Sequence, residues 1–328
     1  MVARRRVLMS VAALACAPRG IAAQSPPKLL RVAILSESTE TARRNLWALF
    51  RERLVQLGYV EGRNLALDWR NADDMPSYLP KLADDIVKSK PDVIVAVSTP
   101  AAVAAKNATA TIPIVFIGPS DPVGSGLVPN LARPGGNTTG FSPMQGEIGP
   151  KWLELLRALS PKLQRAAYLT DTGNPGEMRV FEMMRERAAA LGVTVQVYDA
   201  VQPGALDRAF EAIARDRIEG MAVAITAAML PFRDRIVRFA SEHKLPAVYG
   251  RREYADAGGL MSYGADSAPL YAKAADYVHR IATGTKPGDL PVERPSAIRM
   301  VVNRRTAKAQ GIALPPSILA AADETIDK

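Results

Sequence analysis

The chain has 328 residues, a formal net charge of +9, two histidines and one cysteine. A lone cysteine, Cys16, excludes an internal disulfide and a cysteine-ligated metal site. The basic residues are interspersed with acidic ones, as in Arg51-Glu52-Arg53, which indicates solvated helix faces and not a nucleic-acid-binding stripe.

Residues 1–24 are predicted to be a signal peptide. The run Arg4-Arg5-Arg6 is its basic segment, residues 7–15 are an apolar segment too short to span a bilayer, and Ile21-Ala22-Ala23 is a cleavage site. Both the general and the twin-arginine export routes fit this leader. Cys16 lies in a poor lipidation context. We therefore expect a soluble periplasmic chain of about 305 residues, long enough for two domains.

The chain after the leader contains two copies of one βα unit, 134 residues apart. The strand 31–36 corresponds to the strand 165–170, and the helix 46–58 corresponds to the helix 180–192. Each helix ends at a glycine suited to a left-handed backbone. Further strands and helices follow in the same order in both copies: 64–69 and 193–198, 80–89 and 205–214, 95–98 and 223–226, and 112–116 and 245–249. This order predicts an α/β fold with two Rossmann-like lobes and parallel sheets.

Polar residues follow each apolar strand in both copies. In open parallel sheets, ligands bind outside the carboxyl ends of the strands, where helix N-termini carry a positive partial charge. If the two lobes face each other across these edges, the polar residues line a cleft. They are Ser36, Glu37, Ser98, Thr99, Ser120 and Asp121 in the first lobe, and Thr170, Asp171, Asn174, Thr226 and Arg251 in the second.

The sequence contains no recognisable catalytic motif. His243 and His279 lie in charged or helical segments, and no zinc-protease, phosphate-loop or nucleophile-elbow motif occurs. Gly124-Ser-Gly126 lacks the third glycine of a dinucleotide fingerprint and is better interpreted as a turn. An enzyme is therefore not expected, and neither is a cofactor or a metal.

Several separate segments resemble one family. They are Asp121-Pro-Val-Gly-Ser-Gly-Leu-Val128, Leu131-Ala-Arg-Pro-Gly-Gly-Asn137, Gly258-Gly-Leu-Met-Ser-Tyr-Gly264, Leu290-Pro-Val-Glu-Arg-Pro295 and the C-terminal stretch from Asn303 to Leu319. Together they are similar to the exported solute-binding components of ABC importers related to tryptophan- and tyrosine-type binding proteins. The resemblance covers nearly the whole chain after the leader.

The resemblance implies a type I periplasmic-binding-protein fold with hinge crossings. We place lobe I at residues 28–140 plus 265–328, and lobe II at residues 141–264. Crossings are expected near 139–143 and 262–266, and a third near 290–297 is left open.

The resemblance also implies a function without chemistry. The protein captures a small solute, an amino acid, aromatic or not, or a related carboxylate, and delivers it to an ABC permease and ATPase of the inner membrane. A monomer is expected. The alternative is an extracytoplasmic sensor of the same fold that signals to a partner, and an enzyme is third.

An amino-acid solute suggests roles for the predicted residues. Its carboxylate would bind Ser98, Thr99 and the N–H groups after Pro100, opposed by Thr226. Its ammonium group would bind Asp121, Asp171 or Glu37. Tyr249 and Tyr263 are candidates for an aromatic wall, whereas Trp47 fits the core better. Arg251, if it points into the cleft, favours a dicarboxylate or an aromatic acid.

Overall fold

The computed structural model describes residues 29–327 apart from positions 74, 144, 203 and 296. The predicted signal peptide, with Cys16, lies outside the described residues. Within the described part of the chain, no helix is long and apolar enough to cross a membrane.

The first lobe is built on a parallel five-stranded sheet in the order β2-β1-β3-β4-β5. Its central strands are buried along their whole length, as expected for a sheet covered by helices on both faces. The elements are β1 (Leu30–Ser36), α1 (Arg44–Gln56), β2 (Leu65–Asn71), α2 (Leu79–Ser89), β3 (Val93–Val97), α3 (Thr99–Ala108), β4 (Ile114–Ile117) and β5 (Thr138–Phe141).

The second lobe begins with α4 and contains a seven-stranded sheet in the order β12-β11-β10-β9-β8-β6-β7. Its first elements are α4 (Gln145–Leu159), β6 (Arg165–Thr170), α5 (Pro175–Ala190), β7 (Thr194–Asp199), α6 (Ala205–Arg215), β8 (Gly220–Val223), α7 (Arg233–Glu242), β9 (Ala247–Tyr249), α8 (Arg252–Asp256) and β10 (Met261–Ala265). A 3-10 helix, Ala227–Phe232, precedes α7.

The two copies of the βα unit predicted from the sequence have the same strand order. The order β2-β1-β3-β4 in the first sheet corresponds to β7-β6-β8-β9 in the second. Gly58 and Gly192, which follow α1 and α5, have φ angles of +90° and +65°. A side chain rarely adopts this left-handed backbone, which is why glycine ends both helices. The predicted α/β fold with two parallel-sheet lobes is confirmed.

The C-terminal part of the chain differs from the predicted domain division. Helix α9 (Ala268–Ala282) packs against α1 in the first lobe, where Tyr271 contacts Trp47 edge to face at 5.1 Å. The final elements, β11 (Ile298–Asn303), α10 (Arg304–Gln310), α11 (Pro316–Ala321) and β12 (Glu324–Ile326), belong to the second lobe. Assigning all of 265–328 to lobe I was therefore wrong from residue 298 onward, because β11 pairs antiparallel with β10.

Over the residues that the structure describes, the chain passes between the lobes three times. The crossings lie between β5 and α4, between β10 and α9, and between Glu293 and β11. Before the third crossing, Glu293 forms a parallel bridge with Phe141 at the edge of the first sheet. Three connections side by side form a hinge about which the lobes can open and close.

Candidate functional site

The junction between β3 and α3 faces the second lobe. Ser98 is the N-cap of α3, and its Oγ accepts a hydrogen bond from the Ala101 N–H at 3.4 Å. The helix therefore begins at Thr99, one residue earlier than a Thr99 cap would give. Ser98 has φ +98° and ψ 164°, a backbone region that residues other than glycine rarely occupy. Strain of this kind is often kept at functional sites.

Because Ser98 caps the helix, the Thr99 side chain is turned toward other groups. Its Oγ1 accepts a hydrogen bond from the Ser120 N–H at 3.3 Å. The N–H groups of Ala101 and Ala102 are both bonded to Ser98, so they are not available to a solute in the predicted way. What this end of α3 presents to the cleft is its hydroxyls and the positive end of the helix dipole.

The start of α5 in the second lobe lies directly against Thr99. Asn174 caps this helix, since its Oδ1 accepts a hydrogen bond from the Gly176 N–H at 2.9 Å. A methyl group on Gly176 would lie 2.5 Å from Thr99 Oγ1, so the two lobes approach each other here at backbone distance. The cap uses the side-chain oxygen of Asn174. The N–H groups of the side-chain amide are therefore left to be donated to a solute.

A buried carboxylate, Glu177, connects the two lobes beside this contact. Its oxygens accept hydrogen bonds from Ser120 Oγ (3.0 Å), Tyr168 Oη (2.6 Å) and Thr170 Oγ1 (3.1 Å). Ser120 belongs to the first lobe and the other two donors to the second. Burial raises the pKa of Glu177, and the three hydroxyl donors oppose part of that rise.

The sequence analysis did not identify Glu177. Its spacing from Asn174 is that of a capping box, a pattern with an ordinary structural explanation. In the structure, the side chain does not serve as that cap, because its partners come from β6 and from the other lobe. A buried hydroxyl at the end of β6 was the available signal, but it does not specify a carboxylate partner.

These groups line a small cavity of about 60 Å³ between the lobes. The first lobe contributes Arg43, Leu46, Ser98, Thr99, Ser120 and Tyr271. The second lobe contributes Asn174, Glu177, Ile225, Thr226 and Arg251. Glu177 is the one carboxylate among the described residues lining this cavity.

Arg251 lines both this cavity and a second, larger one. The larger cavity has a volume of about 400 Å³, which is within the range of small-molecule sites, and is lined by residues around the hinge, including Ser262, Ser267 and Arg299. A third opening, beside Arg44 and Leu230, also includes Arg251. Arg251 and Leu46 line all three spaces, so we describe them as parts of one interlobe cleft.

The three carboxylates predicted to hold an ammonium group do not line the smaller cavity. Asp121 accepts a hydrogen bond from the Gly124 N–H at 2.8 Å and lies 3.7 Å from Arg179. Glu37 and Asp171 are buried at the ends of β1 and β6. Burial raises the pKa of Asp171, and one of its oxygens has no hydrogen-bond partner among the described residues.

Two of the predicted hydroxyls are used within the protein. Ser36 Oγ donates to the Ser38 carbonyl oxygen at 2.8 Å, and Thr170 Oγ1 donates to Glu177. Both are fully buried. They support the loops at the strand ends and do not border the smaller cavity.

The predicted aromatic wall is not assembled. Tyr249 is in the core, stacked on Tyr254 at 5.0 Å, because β9 is a central strand covered on both faces. Tyr263 packs partly against the same core, and its carbonyl oxygen accepts a hydrogen bond from Trp152 Nε1 at 2.7 Å. Trp47 is buried in the first lobe, as its helical position indicated. The aromatic residue in the cavity lining is Tyr271, which the sequence analysis did not single out.

Both histidines have structural contacts away from the cavities described above. His243 Nδ1 lies 3.0 Å from the Phe239 carbonyl oxygen, and His279 Nδ1 lies 3.0 Å from Tyr59 Oη. The described residues include no group of three or more histidine, cysteine, aspartate or glutamate side chains arranged to hold a metal ion.

Two Rossmann-like lobes, three hinge crossings and a polar cleft between them define a type I periplasmic binding protein. Residues 31–326 match the family described as ABC transporter substrate binding protein. The chain therefore belongs to this family, and the family resemblance recognised in its sequence is confirmed. Substrate-binding proteins of ABC importers are extracytoplasmic.

Comparison with individual proteins gives the same class. A tyrosine-binding protein from Clostridioides difficile (strain R20291) is 29% identical over 261 residues, which are 79% of this chain and 74% of the relative. The structure of a conserved domain protein from Vibrio cholerae O1 biovar eltor is 29% identical, with a TM-score of 0.82 over 91% of this chain and 100% of that one.

A further solved structure supports the fold. The ABC domain from Streptococcus pneumonia in complex with L-Trp has a TM-score of 0.80 and 23% identity, covering 91% of this chain and 100% of that chain. The relatives with a described function are solute-binding proteins and not enzymes.

Proposed function

We propose that the protein binds a small α-amino acid, or a related carboxylate, in the interlobe cleft and delivers it to an ABC permease. The observation that carries this proposal is the meeting of two helix starts, those of α3 and α5, beside a buried carboxylate, Glu177. This arrangement offers both signs of charge to one solute. The tyrosine-binding relative supports the amino-acid class.

The solute's α-carboxylate binds at the start of α3. Hydroxyls of Ser98, Thr99 and Thr226 border this part of the cavity, together with the amide of Asn174. The positive ends of the α3 and α5 dipoles favour an anion there. Each charge-assisted hydrogen bond contributes about 1.5–3 kcal/mol.

The solute's ammonium group binds at Glu177. A carboxylate in a buried cavity attracts a cation more strongly than one in water does. An ammonium group also compensates the desolvation that raises the pKa of Glu177. Ser120 reaches Glu177 from the other lobe, so binding at this point favours the closed arrangement.

Transport follows from closure. Solute held between the lobes is removed from water and its polar contacts are strengthened. The closed protein then docks on a membrane permease whose ATPase is a separate subunit. This chain is exported to the periplasm for that purpose and acts as a monomer.

The first test is a thermal-shift screen of the protein after unfolding and refolding, which removes any solute carried through purification. The panel holds amino acids, aromatic acids, dicarboxylates, amides and sugars. A solute at 100 times its Kd stabilises the folded state by about 2.7 kcal/mol. We expect stabilisation by amino acids or carboxylates, and stabilisation by sugars alone would refute the proposal.

The matched variants are Thr99→Ala and Thr109→Ala. Thr99 lies at the start of α3, and Thr109 at its end, where its Oγ1 accepts a hydrogen bond from the Ile112 N–H. We expect Thr99→Ala to weaken solute binding about tenfold or more. Thr109→Ala should lower stability and leave the Kd unchanged. Loss of solute uptake in cells lacking the gene then tests delivery.

A further inference from the structure

Arg251 lines all three spaces of the interlobe cleft. It follows the short strand β9, and its side chain is 12% exposed. It lines the smaller cavity with Glu177, the larger cavity near the hinge and the third opening. A solute bound at the starts of α3 and α5 would therefore contact Arg251 where the solute's own side chain extends toward the larger cavity.

The guanidinium group is only partly used by the protein. Its Nη2 donates to Glu253 Oε1 at 2.6 Å. Its Nε is buried and has no hydrogen-bond partner in the described part of the chain. An arginine has five N–H donors in a planar fork, and that fork matches the two oxygens of a carboxylate. A buried donor left without a partner is costly, so the site is incomplete as the protein alone presents it.

The larger cavity is poorly suited to an aromatic side chain. None of the described residues that line it is aromatic. Its walls combine aliphatic groups such as Leu46 and Val301 with two serine hydroxyls. Its charged residues are three arginines and two carboxylates, so the lining keeps a net positive charge: Arg251, Arg252, Arg299, Glu253 and Asp266. The Arg299 guanidinium lies at the exposed rim. The chemistry of these walls fits a chain of methylene groups that ends in an anion.

We infer that the solute carries a second carboxylate, at the end of its side chain, and that Arg251 binds this carboxylate with guanidinium N–H groups that Glu253 does not use. The solute is thus an acidic amino acid or a close dicarboxylate analogue. This inference rests on the proposed function, since it takes the start of α3 as the site of the α-carboxylate. Arg251 is a specificity-determining residue in this assignment, and Glu253 orients it.

The experiment compares acids with their amides. Binding of aspartate, glutamate and 2-aminoadipate, each beside the amide of its terminal carboxylate, is measured by isothermal titration calorimetry on the refolded full mature chain. L-Tyrosine and L-tryptophan complete the panel. We expect at least one acid to bind about 10- to 100-fold more tightly than its amide and than either aromatic amino acid.

The variants are Arg251→Gln, Arg251→Lys and Arg238→Gln. Arg238 is exposed on α7, away from the cleft, so its substitution removes the same charge without touching the site. Arg251→Gln should abolish the preference for the acid, and Arg251→Lys should restore part of it, because lysine keeps the charge but not the fork. Arg238→Gln should leave the preference as in the wild type.

The outcomes separate the two proposals. If tyrosine, tryptophan or an amide binds more tightly than every acid, the inference about Arg251 is wrong and the proposed function stands. If Arg251→Gln weakens the binding of the acid and of its amide equally, Arg251 does not bind a second carboxylate, and the inference is also wrong. If no amino acid or carboxylate binds in this panel and in the thermal-shift screen, both proposals fail.

Discussion

The two lobes share a strand order but bring different junctions to the cleft. In the first lobe, the junction after β3 reaches the partner lobe through Ser98 and Thr99. In the second lobe, the contact comes from the junction after β6, at Asn174–Glu177. The repeat counterpart of Ser98 is Thr226, which is followed by a 3-10 helix containing Pro231.

This difference shows that the duplicated unit determines the strand order of each lobe but not the polar side chains that the lobe brings to the cleft. Glu37 and Asp171 occupy the same position in the two copies, and both are buried. Glu177 occupies the cavity in one copy only. A carboxylate at one side and hydroxyls at the other allow the cleft to orient a solute that has two different ends.

The largest expected effect is a loss of solute affinity when the negative charge of Glu177 in the second lobe is removed. Glu177→Gln keeps the shape of the side chain and removes its attraction for an ammonium group. We expect solute affinity to fall about 10- to 100-fold, the range for one charge-assisted hydrogen bond. Calorimetry should show little change for the same solute without its amino group. The control is Glu186→Gln, on the exposed face of α5. An equal loss for both solutes would contradict the ammonium site.

The next effect concerns the contact between the two helix starts. Gly176→Ala places a methyl group 2.5 Å from Thr99 Oγ1, so full closure is prevented. We expect about tenfold weaker binding, and small-angle scattering should show less compaction when solute is added. Gly149→Ala is the control, because its methyl group meets Val180 within the second lobe. It should lower the Tm without affecting compaction. Normal compaction of Gly176→Ala would show that this contact does not limit closure.

A smaller effect should appear in stability at Asp171, the counterpart of Glu37. Burial, with a contribution from Asp199, raises the pKa of Asp171 in the folded state. The folded protein therefore binds this proton more tightly than the unfolded chain, so stability is present at low pH and is lost as pH rises through the raised pKa. Asp171→Asn should increase the free energy of unfolding at neutral pH by about 1 kcal/mol or more.

Denaturant unfolding at several pH values tests this expectation. The amide introduced by Asp171→Asn keeps an oxygen that can accept the Gly173 N–H, as the carboxylate does. Asp84→Asn, at an exposed position of α2, is the control and should have little effect. A loss of stability in Asp171→Asn at neutral pH would mean that the carboxylate charge is needed by the fold.

The smallest effect compares the two counterpart residues of the repeat. Ser98→Gly relieves a backbone strain of about 1 kcal/mol, offset by a few tenths for the lost cap. Thr226→Gly relieves nothing, because Thr226 has φ −55° and ψ 133°. We expect the first variant to raise the Tm by about 1–2 °C and the second to lower it. Equal shifts in calorimetric scans would show that Ser98 is not strained.

The repeat could be predicted from the sequence because its signals are local. Each signal is recognisable from a few consecutive residues. The signals are the apolar strands, the glycines that end helices at 58 and 192, and the hydroxyl residues at the strand ends. Those signals predicted the succession of strands and helices along the chain and the hydroxyl residues at the strand ends. They also placed Arg251 at a strand end, where the structure has it lining the cleft.

The remaining features depend on contacts between distant segments. Glu177 is recognisable only once Ser120 is seen beside it, 57 positions away. The pairing of β11 with β10, which moves the C-terminus to the second lobe, has no local signal, since an apolar strand fits either sheet. Tyr249 was misplaced because the end of a short central strand can be polar surface or core, and only the neighbouring strands decide.

The third crossing has a consequence for how the second lobe folds. Its sheet is drawn from two segments separated by α9, and its strands β11 and β12 come from residues 298–326. Until β11 pairs with it, β10 is an open edge available to other chains. The lobe that supplies Glu177 and Arg251 is complete only when residues 298–326 have joined its sheet, so the binding site forms late in folding.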